Sequence, residues 1–506
     1  MKPENQHIEL DWIKRWAQYA PKKTALHSID DDLKISYKAL HNSINKTANL
    51  LKKQFGVEKG DRVAILSINS TEYVILFFAI QKLGAIMLPL NFRLAAPEIS
   101  YQLEDSGAKV LLFEEAFAET VQKLSFSSEY SIQIDGETGI SEELFAQDDE
   151  VIPEIDHAGD FEDACMILYT SGTTGRPKGA IITHKMLFWN SINTGLRLNL
   201  TQQDVTITFA PFFHTGGWNV LTTPMLHRGA KVILMKKFDP DKILELCDDE
   251  KVSILFGVPT MMDMMYRSEQ FEKSSLKTVR YAIVGGEPMP LNLIDTWEEK
   301  GVPVRQGYGL TEFGPNVFSL NEEDSKRKIG SIGFPNFYIE TRVVDDSDND
   351  VTQGEPGELI LKGPVCMKAY WNNPEATEKT IVNGWLHTGD IVRVDEDGYF
   401  YVIDRKKEMF ISGAENVYPA EVEHVFRTHP AIRDIAVIGV PDEKWGESGK
   451  AFIVRNKGFE TTSEEFQSWA KDQLAKFKVP KKYAFLDELP KSDSGKILKR
   501  KLKEEK

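Results

Sequence analysis

The sequence predicts an α/β protein, with a large N-terminal domain of doubly wound sheets plus a β-rich subdomain and then a small α/β domain. Three observations predict it. Short apolar runs rich in β-branched residues alternate with helix-like segments through the first 310 residues, the pattern of crossover connections and largely parallel sheets. From Ile329 to about Ile403 the strands come closer together, and Asn383-Gly384 and Asp397-Gly398 mark hairpin turns. After Asp404 a compact unit of about a hundred residues follows.

Val63–Ile68, Ala85–Leu90, Lys109–Phe113, Met166–Thr170, Thr206–Ala210, Lys231–Met235, Ser253–Phe256, Val279–Val284 and Val304–Gly307 read as strands. The mostly apolar stretch Tyr73–Leu90 is not a membrane span: Gln81 and Lys82 interrupt it, and Gly84 and Pro89 punctuate it. Asn69 and Ser70 cap a helix over Thr71–Leu83 instead, which Gly84 ends. In the last unit, Pro419 opens a helix near Pro419–Thr428, and Ile432–Val440 and Ala451–Val454 are strands.

Composition bounds the function. The 506 residues carry 61 Lys plus Arg against 77 Asp plus Glu, a net charge of −16, with 41% hydrophobic and 27% charged residues. That is an ordinary globular chain, and its acidity excludes non-specific nucleic-acid binding. Residues 471–506 reverse the sign, with 12 Lys plus Arg and 6 Asp plus Glu, so the preceding 470 residues carry −22. Such a tail reads either as a solvated helix end or as a surface that meets phosphate. Three scattered Cys make neither a disulfide framework nor a zinc site and fit a cytoplasmic location. The N-terminus lacks the apolar core of a secretory signal. Asp345–Asp350 begins like a calcium loop, but Val351 and Gly357 stand where Gly and Glu are needed.

The strongest motif is Tyr169–Gly179, YTSGTTGRPKG, directly after an apolar strand. Three glycines let backbone approach a ligand, the hydroxyls of Thr170, Ser171, Thr173 and Thr174 supply donors, and Lys178 supplies a cation. A polyphosphate needs those parts, although the spacing is not that of a Walker A loop. The second motif, Gln306–Glu312 (QGYGLTE), fails as a dinucleotide fingerprint because Glu312 takes the third glycine position. It suits a nucleotide, with Tyr308 to stack, Thr311 as a hydroxyl and Glu312 as an oxygen ligand for Mg²⁺. Trp385–Asp390 (WLHTGD), Asp404–Lys407 (DRKK) and Ser492–Lys496 (SDSGK) follow in order.

Together these motifs resemble the ANL superfamily of adenylate-forming enzymes over nearly the whole chain. Met409–Glu423 (MFISGAENVYPAEVE), Ile438–Glu447, Asn91–Glu98 (NFRLAAPE) and Tyr370–Thr377 (YWNNPEAT) look most like bacterial fatty-acyl-CoA synthetases. The resemblance implies an N-terminal adenylation domain over 1–403 with its β-rich subdomain at about 329–403, a hinge at 404–407 and a mobile C-terminal domain over 408–506. It implies that Thr170, Ser171, Gly172, Thr173, Thr174, Gly175 and Lys178 hold the ATP β- and γ-phosphates. Gly285, Gly286 and Glu287 border the adenine and acyl pocket, and Gln306, Gly307 and Tyr308 lie against the base. Thr311 contacts the α-phosphate, Glu312 holds Mg²⁺, and Asp390 and Arg405 bind the ribose. Lys496 bridges carboxylate and α-phosphate during adenylation, and Lys407 is the hinge. Ser412, Gly413 and Trp445 line the pantetheine tunnel, with Lys476 and Lys478 on the phosphates of CoA.

The implied activity is an acyl-CoA synthetase: ATP and a carboxylic acid give acyl-AMP and pyrophosphate, then CoA takes the acyl group. A carrier-loading adenylation domain is disfavoured because Pro211–Asn219 (PFFHTGGWN) lacks an acid for a substrate ammonium and offers His214 as a carboxyl gate. A mere binder would not require Lys178, Glu312 and Lys496 together. A medium- or long-chain fatty acid is the first choice of substrate, an aryl acid the second. Met261, Met262, Met264 and Met265 read equally as tunnel lining and as core. The chain is expected to act as a monomer or homodimer on small molecules, with peripheral membrane contact left open.

Overall fold

The computed structural model describes residues 9–146, 150–170, 176–286, 289, 291–405, 410–413, 415–417, 419–490, 497 and 499–504. It contains three sheets. The first has six strands in the order Tyr130–Gln133, Val110–Phe113, Arg62–Leu66, Ile86–Pro89, Ala164–Thr170 and Lys178–Thr183. Its first five strands are parallel, and the last two form an antiparallel hairpin.

The second sheet changes character along its length. Thr24–Ser28, Lys231–Leu234, Val205–Thr208, Ile254–Gly257, Tyr281–Val284 and Val304–Leu310 run parallel. From Gly314–Ser319 onward, through Ser331–Pro335, Phe400–Arg405, Trp385–Val394, Gly357–Lys362 and Glu340–Val344, every pairing is antiparallel. This is the denser strand texture expected after Ile329. The acidic run after Val344 is a turn, with Asp345 N–H donating to Asn349 O and Arg342 paired to Asp350 at 2.7 Å.

The helix Thr71–Lys82 lies between the two sheets and is buried at every position except Glu72. An apolar surface all round requires that placement. Ser70 Oγ accepts from Tyr73 N–H at its start, and Gly84 (φ +67°) ends it. Lys82, which argued against a membrane span, is buried and bonded to Asp11 at 2.8 Å. Among the described residues no helix is long and apolar enough to cross a membrane.

The third sheet is C-terminal. Ile432–Asp442 and Gly446–Arg455 make a long antiparallel hairpin, and Phe410–Ser412 (with Glu415–Val417 beyond it) and Lys482–Phe485 both pair along the other edge of Gly446–Arg455. The helix Pro419–Phe426 packs on it. The basic tail includes a helix, Lys499–Glu504, with Leu502 buried and Lys499 2.7 Å from Glu423. Phe410, Val417 and Val422 of this unit share one apolar cluster with Leu88 and Ile167 of the six-stranded sheet and Leu103 of the helix Ala96–Ser106, so the small domain is docked on that face.

Candidate functional site

The site forms where the second sheet turns from parallel to antiparallel. Gly257 registers with Val284 and Val284 with Gln306, so the carboxyl ends of two parallel strands lie level with Gln306 of a third at one edge. Ligands bind α/β sheets at such places. Backbone lines it: Gly285 and Gly286 follow Val284, Gly286 has φ +86°, and Gly285 N–H donates to Gly257 O at 3.3 Å. A Cβ at Gly309 would lie 2.1 Å from Pro315 O, so the turn into the antiparallel half closes only with glycine there.

Gln306 is buried, and its Oε1 accepts from Met289 N–H at 3.1 Å. Tyr308 O–H donates to Asp390 Oδ2 at 2.6 Å. Asp390 faces Arg405 across the ladder between their strands. Residues expected against the base and on the ribose are therefore neighbours, brought together from three strands.

A second group gathers around Glu312, in the short 3₁₀ turn Thr311–Phe313. Tyr370 O–H donates to Glu312 Oε1 at 2.8 Å, and Thr170 Oγ1 donates to the same oxygen at 3.3 Å. Thr170 and Lys178 are paired at the end of their hairpin, and Lys178 Nζ sits 5.0 Å from the centre of the Tyr370 ring. The loop residues Ser171, Gly172, Thr173, Thr174 and Gly175 lie outside the described residues, as do Glu287, Lys407 and Lys496. Among the described residues no three His, Cys, Asp or Glu side chains cluster as a metal cage. One carboxylate beside phosphate-binding groups instead fits Mg²⁺ arriving on ATP, since that ion keeps its waters and phosphate ligands.

The third group is built across the domains. Gly413 (φ +60°) turns the hairpin between Phe410–Ser412 and Glu415–Val417, and its N–H donates to Trp445 O at 2.9 Å. Ser412 is buried beside it. Glu415 from this hairpin reaches the N-terminal domain, pairing with Arg93 Nη1 through Oε1 and with His214 Nε2 through Oε2 at 2.9 Å. The His214 side chain keeps 48% of its surface. The crowding around its ring and then the Arg93 guanidinium push its pKa down. Sequence reasoning missed Glu415 and Arg93 as site residues. Both stand inside quoted motifs, but nothing local shows that residues 322 positions apart meet.

The expected CoA lysines need correction. Lys478 is buried between Glu98 at 2.9 Å and Glu421 at 2.7 Å, so its charge is spent inside the protein and not on a phosphate. Lys476 is exposed. Lys444 and Lys481, which the sequence reading passed over, stand 5.4 and 5.8 Å from the Trp445 ring. Burial and then the charges of Lys471 and Lys476 push the Lys481 pKa down, against the pull of Asp442. The methionines also resolve: Met262 and Met265 are core beside Trp297, and Met264 is 50% exposed. Trp218 stacks between Phe212 (4.0 Å) and Phe77 (4.3 Å) in the interior.

Comparison with known proteins fits this geometry. The AMP-binding enzyme family matches residues 13–371, and the AMP-binding enzyme C-terminal domain matches residues 421–496. The chain belongs to the AMP-binding enzymes, the ANL superfamily. It is 40% identical to a feruloyl-CoA synthase of an Amycolatopsis species over 96% of this chain and 97% of that one. It is 37% identical to a long-chain-fatty-acid–CoA ligase of Mycobacterium tuberculosis over 98% of both. Among solved structures it matches o-succinylbenzoate-CoA synthetase of Bacillus subtilis at 33% identity. A double mutant of that enzyme bound to a product analogue gives a TM-score of 0.87 over 98% of both chains. The same enzyme in complex with its acyl-adenylate intermediate gives 0.71 over 97% of both. Within the family the chain is an AMP-forming acid–CoA ligase that uses ATP and CoA.

Proposed function

We propose that the chain activates a hydrophobic monocarboxylic acid, aromatic in preference to long-chain, and that Glu312 receives Mg²⁺ on the ATP substrate. The observation that carries the two-step reading is spatial. Thr170 and Lys178 of one sheet meet Glu312 and Tyr370, Tyr308 on the strand that leads to Glu312 pairs with Asp390, and the Gly413 hairpin of the other domain reaches His214 through Glu415.

A carboxylate attacking an anionic triphosphate must overcome charge repulsion. Lys178 and the glycine loop would neutralise the β- and γ-phosphates, and Thr311 and Lys496 the α-phosphate, where charge grows in the transition state. Asp390 with Arg405 would hold the ribose. In the second step the CoA thiol attacks the acyl-adenylate and AMP leaves. Gly413 and Trp445 would pass the pantetheine arm, with Lys444 and Lys481 outside at the nucleotide end. The higher match to the product-analogue complex supports reading this domain arrangement as the one for the CoA step. We place the hinge at 404–407, between domains over 1–403 and 408–506. Three free thiols suit a cytoplasmic enzyme.

The aromatic preference rests on the relatives, since the chain is 40% identical to a feruloyl-CoA synthase and 37% identical to a long-chain-fatty-acid–CoA ligase. Met262 and Met265, which the sequence offered as tunnel lining, are core. The test is CoA-thioester formation with pyrophosphate release across benzoic, cinnamic and straight-chain acids. Preference for a chain of twelve carbons or more would sink the aromatic assignment. Pyrophosphate exchange with no thioester from any acid would sink the CoA step.

A further inference from the structure

Tyr370 lies outside the groups to which a role has been given, yet it touches two of them. The segment around it is tied to the phosphate-loop hairpin by Ile181 N–H to Ala369 O (2.9 Å) and Trp371 N–H to Gly179 O (2.7 Å). Tyr370 N–H donates to Thr377 Oγ1 at 3.0 Å, and Tyr370 bridges to Ala180. The side chain is thus fixed against Lys178–Thr183. From there its ring underlies the Lys178 ammonium and its hydroxyl donates to Glu312 Oε1. The residue is 8% exposed.

Phenylalanine would pack there without a hydroxyl to satisfy, so the O–H has a use beyond filling space. Thr170 donates to the same oxygen, Oε1. Two donors on one oxygen set the plane of the carboxylate, which leaves Oε2 as the oxygen turned to a hard cation. Groups that orient a metal-binding carboxylate commonly govern affinity for the metal. The ring does the matching work on Lys178, steering a flexible ammonium by its π face.

We propose that Tyr370 is a positioning residue for the adenylation step: it orients Glu312 toward the Mg²⁺ of the incoming nucleotide and Lys178 toward its phosphates. This rests on Glu312 receiving that ion. The experiment uses the full-length chain and Mn²⁺ in place of Mg²⁺, with electron paramagnetic resonance reading Mn²⁺ bound in the presence of ATP. Tyr370→Phe keeps the ring and removes the hydroxyl. It should weaken Mn²⁺ in the ATP complex about tenfold, raise the Mg²⁺ needed for acid-dependent ATP–pyrophosphate exchange equally, and leave thioester formation from pre-made acyl-adenylate within about twofold of the parent. Tyr370→Leu should in addition weaken metal-free ATP. Glu312→Gln separates the two ideas. If Glu312→Gln loses Mn²⁺ while Tyr370→Phe holds it like the parent, Tyr370 only packs and the proposal is overturned. If neither loses Mn²⁺, the role given to Glu312 is wrong and the positioning role falls with it. Equal losses by Tyr370→Phe in both half-reactions would show a structural residue and also overturn it.

Discussion

A Cβ built on Gly413 would lie 2.5 Å from the Trp445 ring, on a backbone whose φ of +60° side chains resist. Gly413→Leu must therefore displace either the indole or the hairpin. The expected result is intact ATP–pyrophosphate exchange with acyl-CoA formation lost by more than about 10²-fold; surviving CoA turnover would put the thiol path elsewhere. Lys481 carries the second prediction at this scale. A lysine whose pKa is depressed by burial and then by like charges gains when an anion arrives, so Lys481→Ala should raise the KM for CoA about tenfold and leave pyrophosphate exchange unchanged. An unchanged KM would remove Lys481 from the CoA surface. Sequence reasoning named Lys476 and Lys478 as phosphate-facing and had no local signal by which to prefer Lys481. Lys478 points inward and Lys481 outward because Glu98 and Glu421, far apart in sequence, claim the first of them.

Glu98 is an element-scale device. It sits in the first turn of helix Ala96–Ser106, accepts from Ala95 N–H at 2.9 Å, and also accepts from Ala475 N–H and Lys478 Nζ across the domain boundary. Removing the cation leaves two carboxylates facing each other in a buried place. Lys478→Met should cost about 3–5 kcal/mol, read by urea denaturation. The triple variant Glu98→Gln, Lys478→Met, Glu421→Gln should recover most of that loss, because neutral amides no longer need the charge. A single variant no less stable than the parent would show that the pair is solvated. At the same scale, most strands were legible from apolar runs, but their limits moved. Val304–Leu310 runs past the expected Gly307 because its final residues pair with Gly314–Ser319, a partner invisible to local pattern. The long hairpin Ile432–Asp442 and Gly446–Arg455 likewise exceeds the expected strands: each polar extension is held by the other.

For the whole molecule the question is motion. Lys496 and Gly413 belong to one small domain and are assigned to different steps at one adenylate, so that domain must change orientation about the hinge. Proline removes a backbone N–H and confines φ near −65°. Lys407→Pro should keep pyrophosphate exchange and lose thioester formation from isolated acyl-adenylate and CoA by about 10²-fold or more, whereas Lys407→Ala should cost little in either. If the two variants behave alike, Lys407 is not the pivot. Loss of both steps with a lowered Tm would mean instead that the small domain has unfolded.

Local chemistry by itself determined the reaction class. Glycine-rich loops after strands, a Thr-Glu pair, an Asp after glycine and a late Gly-Lys are each short-range signals, and their order along the chain identifies the superfamily. The alternation of apolar runs determined the α/β class for the same reason, since period and turn chemistry are local. Only the tertiary structure decided which charged side chains are available to ligands. Lys478 is neutralised, Met262 and Met265 are core, and Glu415 and Arg93 close on His214 between domains. Each outcome depends on partners from about thirty to nearly four hundred residues away, and burial of a charge or a methionine is a property of the packed neighbours and not of the surrounding sequence.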